Sequence, residues 1–183
     1  MRRSFLPVLA AAAILSAGAA AHTPAGSLQN VRVSIINIDP FAYIGFPHSG
    51  DFSDLSVVLN SLLGAMTSQS IAPSGDLIAI YHLTPDGEIP DRIEYEVGFP
   101  ITAQVWPQPP LNKKEWHYTT VASAIHRGDY DGSADTIEEI LVWIDANGYQ
   151  QEGPILGRFT VIPSPEVRSR DLRTEIWIPV KKK

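Results

Sequence analysis

Hydrophobic positions along this chain follow two rhythms, one of period two and one of helical period, and the two alternate in order. Val31, Val33 and Ile35 alternate with Arg32 and Ser34, the pattern of a half-buried strand. Leu55, Val58, Leu59, Leu62 and Met66 recur at helical spacing, with Ser53 or Asp54 placed to cap the start. Residues 77–83 and 93–101 read as strands joined by the breaker-rich turn Thr84-Pro85-Asp86-Gly87. The succession then returns. Residues 118–125 read as a strand, and Ile137, Ile140, Leu141 and Ile144 as a helical stripe preceded by Ser133. Asn147-Gly148 stops that helix, glycine suiting the left-handed position past a helix end. Residues 155–162 and 173–180 close the second half as strands. Residues 102–115, with Pro107, Pro109 and Pro110, read as an extended linker across the surface between halves at about 31–101 and 116–180.

The return is also a repeat of residues. His48-Ser49-Gly50-Asp51-Phe52 comes back 78 positions later as His126-Arg127-Gly128-Asp129-Tyr130. At the same offset Leu62 and Leu63 fall on Ile140 and Leu141, Gly75 on Gly153, Tyr81 on Phe159 and Pro85 on Pro163. After one inserted residue, Glu96–Ile101 pairs with Glu175–Val180. A repeat present only twice predicts one domain of two βαββ halves related by a pseudo-two-fold axis, because a solenoid needs at least three units. The predicted class is therefore α+β: an antiparallel sheet with two helices on one side and a ligand groove on the other. A single seam between halves is a common place for a ligand.

Strand parity sharpens that expectation. In the last strand Ile176, Ile178 and Val180 share one face, and Arg173, Glu175 and Trp177 the other. The aliphatic row is expected to meet the helices, turning Glu175 and Trp177 away from them. In the first half Tyr95, Val97 and Phe99 form the apolar row, leaving Glu94, Glu96 and Gly98 opposite. Glu96 and Glu175 are thus expected to face each other across the groove.

The N-terminus carries Arg2 and Arg3, an apolar run from Phe5 to Leu15, then Ser16-Ala17-Gly18-Ala19-Ala20-Ala21. That order reads as a secretory signal peptide cut after Ala21, giving a secreted or periplasmic domain over 22–183. The arginine pair leaves both a Sec and a twin-arginine route open. No stable membrane insertion is expected after cleavage. Loss of Arg2 and Arg3 takes the net charge from −6 to −8. So acidic a domain is a poor partner for nucleic acid, which needs clustered Lys and Arg. With no cysteine there is no disulfide, no thiolate metal site and no lipid anchor at the cleavage site.

Three segments carry a family likeness: His126-Arg127-Gly128-Asp129-Tyr130, Trp143 with Asn147-Gly148-Tyr149, and Thr174-Glu175 with Pro179-Val180. In that order and spacing the chain resembles the GyrI-like small-molecule-binding domain, the effector-binding domain of several bacterial transcription activators. The resemblance implies two tandem βαββ units whose groove takes hydrophobic, often cationic, organic molecules. It also implies a possible hydrolytic activity through a pocket glutamate, and one cofactor, haem, bound by a distant relative of the fold; the residues themselves point to no cofactor. Where the family usually carries Glu-x-Tyr on the strand before the last, this chain holds Gly157-Arg158-Phe159, and Ala79-Ile80-Tyr81 in the first half. That departure removes from both halves the carboxylate that the family carries there.

Glu175, Trp177, Phe159, Tyr81, Glu96 and Tyr130 are the candidate ligand-binding residues of a monomeric, exported receptor for a small hydrophobic or cationic molecule. A glutamate in an aromatic groove attracts a cation, helped by ring faces worth about 0.5–2 kcal/mol each. Desolvated, it serves as a general base, so Glu175 or Glu96 would be the catalytic group of a hydrolase. A closed groove would instead leave an interaction module. The bland alternatives are a solvated Glu175 paired with Arg158 or Arg173, and Tyr81 and Phe159 as plain core. Asp129–Asp135 spaces oxygens like a calcium loop but has Ala134 and Ile140 at the decisive positions. His48 and His126 fall at equivalent turns, where capping or turn-stabilising roles suit them better than zinc.

Overall fold

A computed structural model describes residues 31–50, 54–81, 93–102, 104–161 and 166–183. The signal-like segment 1–21, Ser53 and the turn at 84–87 lie outside them. The chain folds as β1 (Ser34–Asn37), β2 (Phe41–Gly50), α1 (Leu55–Ser68), β3 (Leu77–Tyr81), β4 (Ile93–Pro100), β5 (Asn112–Trp116), β6 (Thr120–Arg127), α2 (Ser133–Ala146), β7 (Tyr149–Gln151), β8 (Ile155–Val161) and β9 (Arg173–Lys182). The two helices begin and end 78 positions apart, matching the repeat. Helix α1 buries Leu55, Val58, Leu62 and Met66, and α2 buries Ile137, Ile140 and Ile144. Each side chain so buried contributes about 1.5–3 kcal/mol, which fixes the faces the helices present. Asp54 stands at the N-cap of α1 without a side-chain cap bond, its carboxylate lying 3.5 Å from His48 Nε2. Past α2, Gly148 adopts the expected positive φ of 74°.

All strand pairs are antiparallel, in the order β1-β6-β9-β8-β3-β4-β2-β5, with β7 added at the end of β9. At the centre β3 meets β8, and the repeat-equivalent residues Ala79 and Gly157 stand directly opposite each other. Both helices pack on one face of this sheet, against Val97 and Phe99 of β4 and Ile176 and Ile178 of β9. Helix α1 lies over β2 and β4, and α2 over β6, β7 and β9.

The sheet is not flat. β1 and β2 are six strand positions apart in the order, about 29 Å on a flat sheet. Yet only Ile38, Asp39 and Pro40 separate them, and the step from Asn37 to Phe41 spans at most about 14 Å. His117, Tyr118 and Thr119 make the same short step from β5 to β6. Ser34 pairs with Ser123 and Phe41 with Trp116, so the β1–β2 run keeps one register with the β5–β6 run on both sides of the break. The Ile38 amide donates to the Thr119 carbonyl at 2.9 Å across it. The sheet must therefore curl until its two ends meet. The face away from the helices closes over a second apolar cluster of Tyr43, Ile78, Ile80, Trp116, Val121, Leu156 and Trp177.

Two sequence expectations need correction here. Residues 112–115, read as surface linker, are in β5, a lysine-bearing end strand that its charged sequence disguises. β2 was not anticipated, because Gly45 and Pro47 interrupt its alternation.

Candidate functional site

The seam between the halves carries a cluster of rings on the helix side. Every residue of β3 is buried; Leu77, Ala79 and Tyr81 face the helices, as do Ile155 and Phe159 of β8. Tyr81 pairs across the strands with Tyr95, and Leu77 with Phe159. The small pair Ala79–Gly157 in their midst leaves a hollow. Tyr130 fills it, arriving not from the sheet but from a 3-10 turn, Tyr130–Gly132, just ahead of α2. A Cβ at Gly157 would stand 3.1 Å from both the ring and the hydroxyl of Tyr130. The Tyr130 ring lies 5.0 Å, centroid to centroid, from Phe159. Its phenol and that of Tyr81 are close enough to influence each other's ionisation. Burial pushes both phenols above their ordinary value, and for Tyr130 the neighbouring Tyr81 raises it further.

His126 holds the turn that delivers Tyr130. It is buried, with Nε2 2.9 Å from the Asp129 carbonyl and Nδ1 2.9 Å from Thr136 Oγ1. The carbonyl can only accept, so Nε2 carries the hydrogen; the Thr136 hydroxyl can serve Nδ1 in either role. One imidazole thus ties β6, the turn and the first turn of α2 together. Among the described residues no cluster of three or more His, Asp or Glu could hold a metal ion.

Glu96, Glu175 and Trp177 lie on the opposite face, as parity required, but not in one shared groove. Glu96 is 8% exposed; its Oε2 accepts from Tyr43 Oη at 3.1 Å and from Lys114 Nζ at 3.0 Å. Burial first, and then the charge and hydrogen bond of Glu96, raise the Tyr43 phenol. Glu175 accepts from Ser123 Oγ at 3.1 Å and lies 3.3 Å from Arg158 Nη1. The Arg158 guanidinium also contacts Asp76 at 3.0 Å and sits 5.5 Å from the Trp177 ring centre.

The expected shared groove is thereby corrected. Glu96 is level with Trp177 across β3 and β8, with Ile80 and Leu156 between them, about 14 Å of strand spacing. The curled sheet fills that interval with Tyr43, Trp116, Leu156 and Trp177. Of the six candidates, Tyr81, Phe159 and Tyr130 come together at the seam, Glu175 and Trp177 are neighbours on the far face, and Glu96 stands apart from both groups. Tyr95 joins the seam cluster although its row suggested only core; its register with Tyr81 is the signal that would have found it.

Known proteins can now be set beside this geometry. A family model described as the GyrI-like small molecule binding domain matches residues 32–181. The chain belongs to that family. Among solved structures, this GyrI-like domain superposes on the crystal structure of the EcmrR C-terminal domain with a TM-score of 0.72 at 16% identity, covering 84% of this chain and 99% of that one. It also spans 58% of the longer EcmrR chain solved in a complex with DNA, with a TM-score of 0.74 at 16% identity over 84% of its own length. SAV2435 bound to tetraphenylphosphonium matches at a TM-score of 0.54 and 10% identity over 82% of this chain and 94% of that one. A structure described as a hydrolase from Listeria innocua matches at 0.59 and 8% identity, over 82% and 92%. These likenesses show the fold the GyrI-like domain shares with them. No curated protein matches the chain.

Proposed function

We propose that this GyrI-like domain is an exported receptor that takes a multi-ringed apolar molecule, cationic or neutral, at the seam between its halves. The observation that carries the reading is Tyr130 lying over Gly157, a ring brought from outside the sheet to occupy a hollow that the sheet itself leaves bare. A ligand would take the place of that ring and meet Tyr81, Phe159 and Tyr95. Tetraphenylphosphonium, the molecule SAV2435 holds, presents the kind of ring surface such a site would take. Glu96 and Glu175 lie on the other face, each already paired with a basic side chain, so ring faces rather than a carboxylate would supply the attraction for a cation. For the same reason we favour binding over hydrolysis: the seam rings named above bring no base to activate water. Arg2-Arg3 and the apolar run behind them support export.

Calorimetric titration tests this with tetraphenylphosphonium and neutral triphenylphosphine oxide. Both are expected to bind, within about tenfold of each other, because cation–ring contacts alone contribute only about 0.5–2 kcal/mol. Tyr130→Ala should bind both more tightly, since no ring has to be displaced, and Tyr130→Phe should resemble the parent. Glu175→Gln and Glu96→Gln should bind unchanged. Loss of cation binding in Glu175→Gln, with Tyr130→Ala indifferent, would move the site to the other face and overturn the reading. Export is checked by cell fractionation. Arg2→Lys with Arg3→Lys would block a twin-arginine route and leave a Sec route working.

A further inference from the structure

Glu175 stands in a recess of 470 Å³ that Arg32, Ser34, Ser123, Ile125 and Arg127 also line. It is the wrong neighbourhood for a cation. Arg158 already meets the Glu175 charge at 3.3 Å. Among the described residues neither Arg32 nor Arg127 has a carboxylate within ion-pair distance. Arg173 of β9 faces Arg127 of β6 directly, and like charges placed so across two strands cost stability. Arg173 Nη1 donates to the carbonyls of Arg170 and Leu172, which orient the guanidinium without neutralising it. Two uncompensated guanidiniums thus line the recess beside one compensated glutamate, with Arg173 opposite Arg127 on β9, on a chain where acidic residues outnumber Lys and Arg 20 to 14.

The lining has two further properties. Ser34 and Ser123 are direct cross-strand partners and bring two hydroxyls to the recess. Ile125, 54% exposed, and Ile36 give it an apolar part beside the charge. Guanidinium forks match the paired oxygens of carboxylates and phosphates. We propose that the recess between β1, β6 and β9 binds a small organic anion, a carboxylate or phosphate ester bearing a short alkyl tail. Arg32 and Arg127 grip the head, the Ser34 hydroxyl donates to it while Ser123 stays on Glu175, and the tail lies along Ile125 and Ile36. The recess is on the face away from the seam, so this site and the seam stand or fall separately.

Amide chemical-shift titration of the isotope-labelled protein tests it with hexanoate, hexyl phosphate, inorganic phosphate and hexylammonium. Hexanoate and hexyl phosphate should shift the Ser34, Ser123, Ile125 and Arg127 amides saturably, and added salt should weaken both. Hexylammonium should leave them still. Arg32→Ala with Arg127→Ala should weaken hexanoate by about tenfold or more, and Arg127→Lys by less, since lysine keeps the charge without the fork. No saturable shift, an equal response to hexylammonium, or unchanged affinity in the double variant would overturn the site. Inorganic phosphate binding as tightly as hexyl phosphate would overturn the role given to the tail.

Discussion

Glu96 lies against the bare backbone of Gly45: a methyl group at position 45 would stand 2.2 Å from Glu96 Oε1. Gly45 and Glu96 are on neighbouring strands, with Pro47 rather than Gly45 directly opposite the glutamate, so the side chain has leaned along β2 toward Tyr43 and Lys114. Gly45→Ala forces it back. The Lys114 ion pair is half-exposed and worth little, whereas the buried Tyr43 hydrogen bond to a charged acceptor is worth about 1.5–3 kcal/mol. We expect Gly45→Ala to lower unfolding free energy by about 1–2 kcal/mol after the gain from a stiffer unfolded chain is deducted. Denaturant melts of Gly45→Ala, Tyr43→Phe and the double variant check it: in the double variant the two losses should overlap rather than add.

Alkaline pH should find a second weakness. Burial raises the phenols of Tyr43, Tyr81 and Tyr130 above their value in an unfolded chain. Above about pH 10 the unfolded state sheds these protons while the folded state keeps them, so stability must fall as pH rises. Below that pH the contribution is complete and constant. Phenolate absorbance should therefore rise in two stages, with these three phenols ionising only as the fold opens. Tyr81→Phe with Tyr130→Phe should flatten the alkaline loss in chemical melts. An unchanged slope would place the sensitivity elsewhere.

The sequence made some of this visible and hid the rest for definable reasons. Helix limits followed the repeat because an amphipathic stripe is a local signal, and the sides taken by Ile176, Trp177 and Glu175 followed from parity. Parity says which way a side chain points, not what lies over it. That the far face closes depends on two joints, 38–40 and 117–119, too short to span a flat sheet, and this is a relation between residues about 80 apart in sequence. β3 posed a different difficulty. Leu-Ile-Ala-Ile-Tyr is apolar throughout because both its faces are covered, so nothing in its pattern tells which side Tyr81 takes. Arg32 and Arg127 are unremarkable as solitary residues, and only the fold brings them to one recess.

The closure of the far face makes Trp116 a keystone. It is 2% exposed, next to the joint that returns the chain from β5 to β6, and packs at 6.4 Å from the Phe41 ring. Trp116→Ala should cost about 3–5 kcal/mol, the usual penalty for emptying a large buried site. Trp106, 85% exposed, is the control, and its replacement by Ala should change the unfolding free energy by less than about 0.5 kcal/mol. A small effect for both would mean that the curl does not depend on this cluster.

The seam yields the most direct test, because two residues of the second half, one in β8 and one in the turn before α2, compete for one volume. Gly157→Ala places a methyl 3.1 Å from the Tyr130 ring and hydroxyl, with Thr174 Cγ2 at 3.4 Å behind it. At that distance the ring must give way by a few tenths of an ångström. It has little freedom to do so while Phe159 and the His126-braced turn hold it. Overpacking of this kind costs about 1–3 kcal/mol. In a Tyr130→Ala background the obstruction is gone, and Gly157→Ala should then cost close to nothing. The double-mutant cycle should accordingly show a coupling of about 1 kcal/mol or more between positions 130 and 157. Additive losses would mean that the ring does not occupy the space above Gly157 in solution. In that case Tyr130 would not be the side chain a ligand must displace, and the seam would lose its claim to be the binding site.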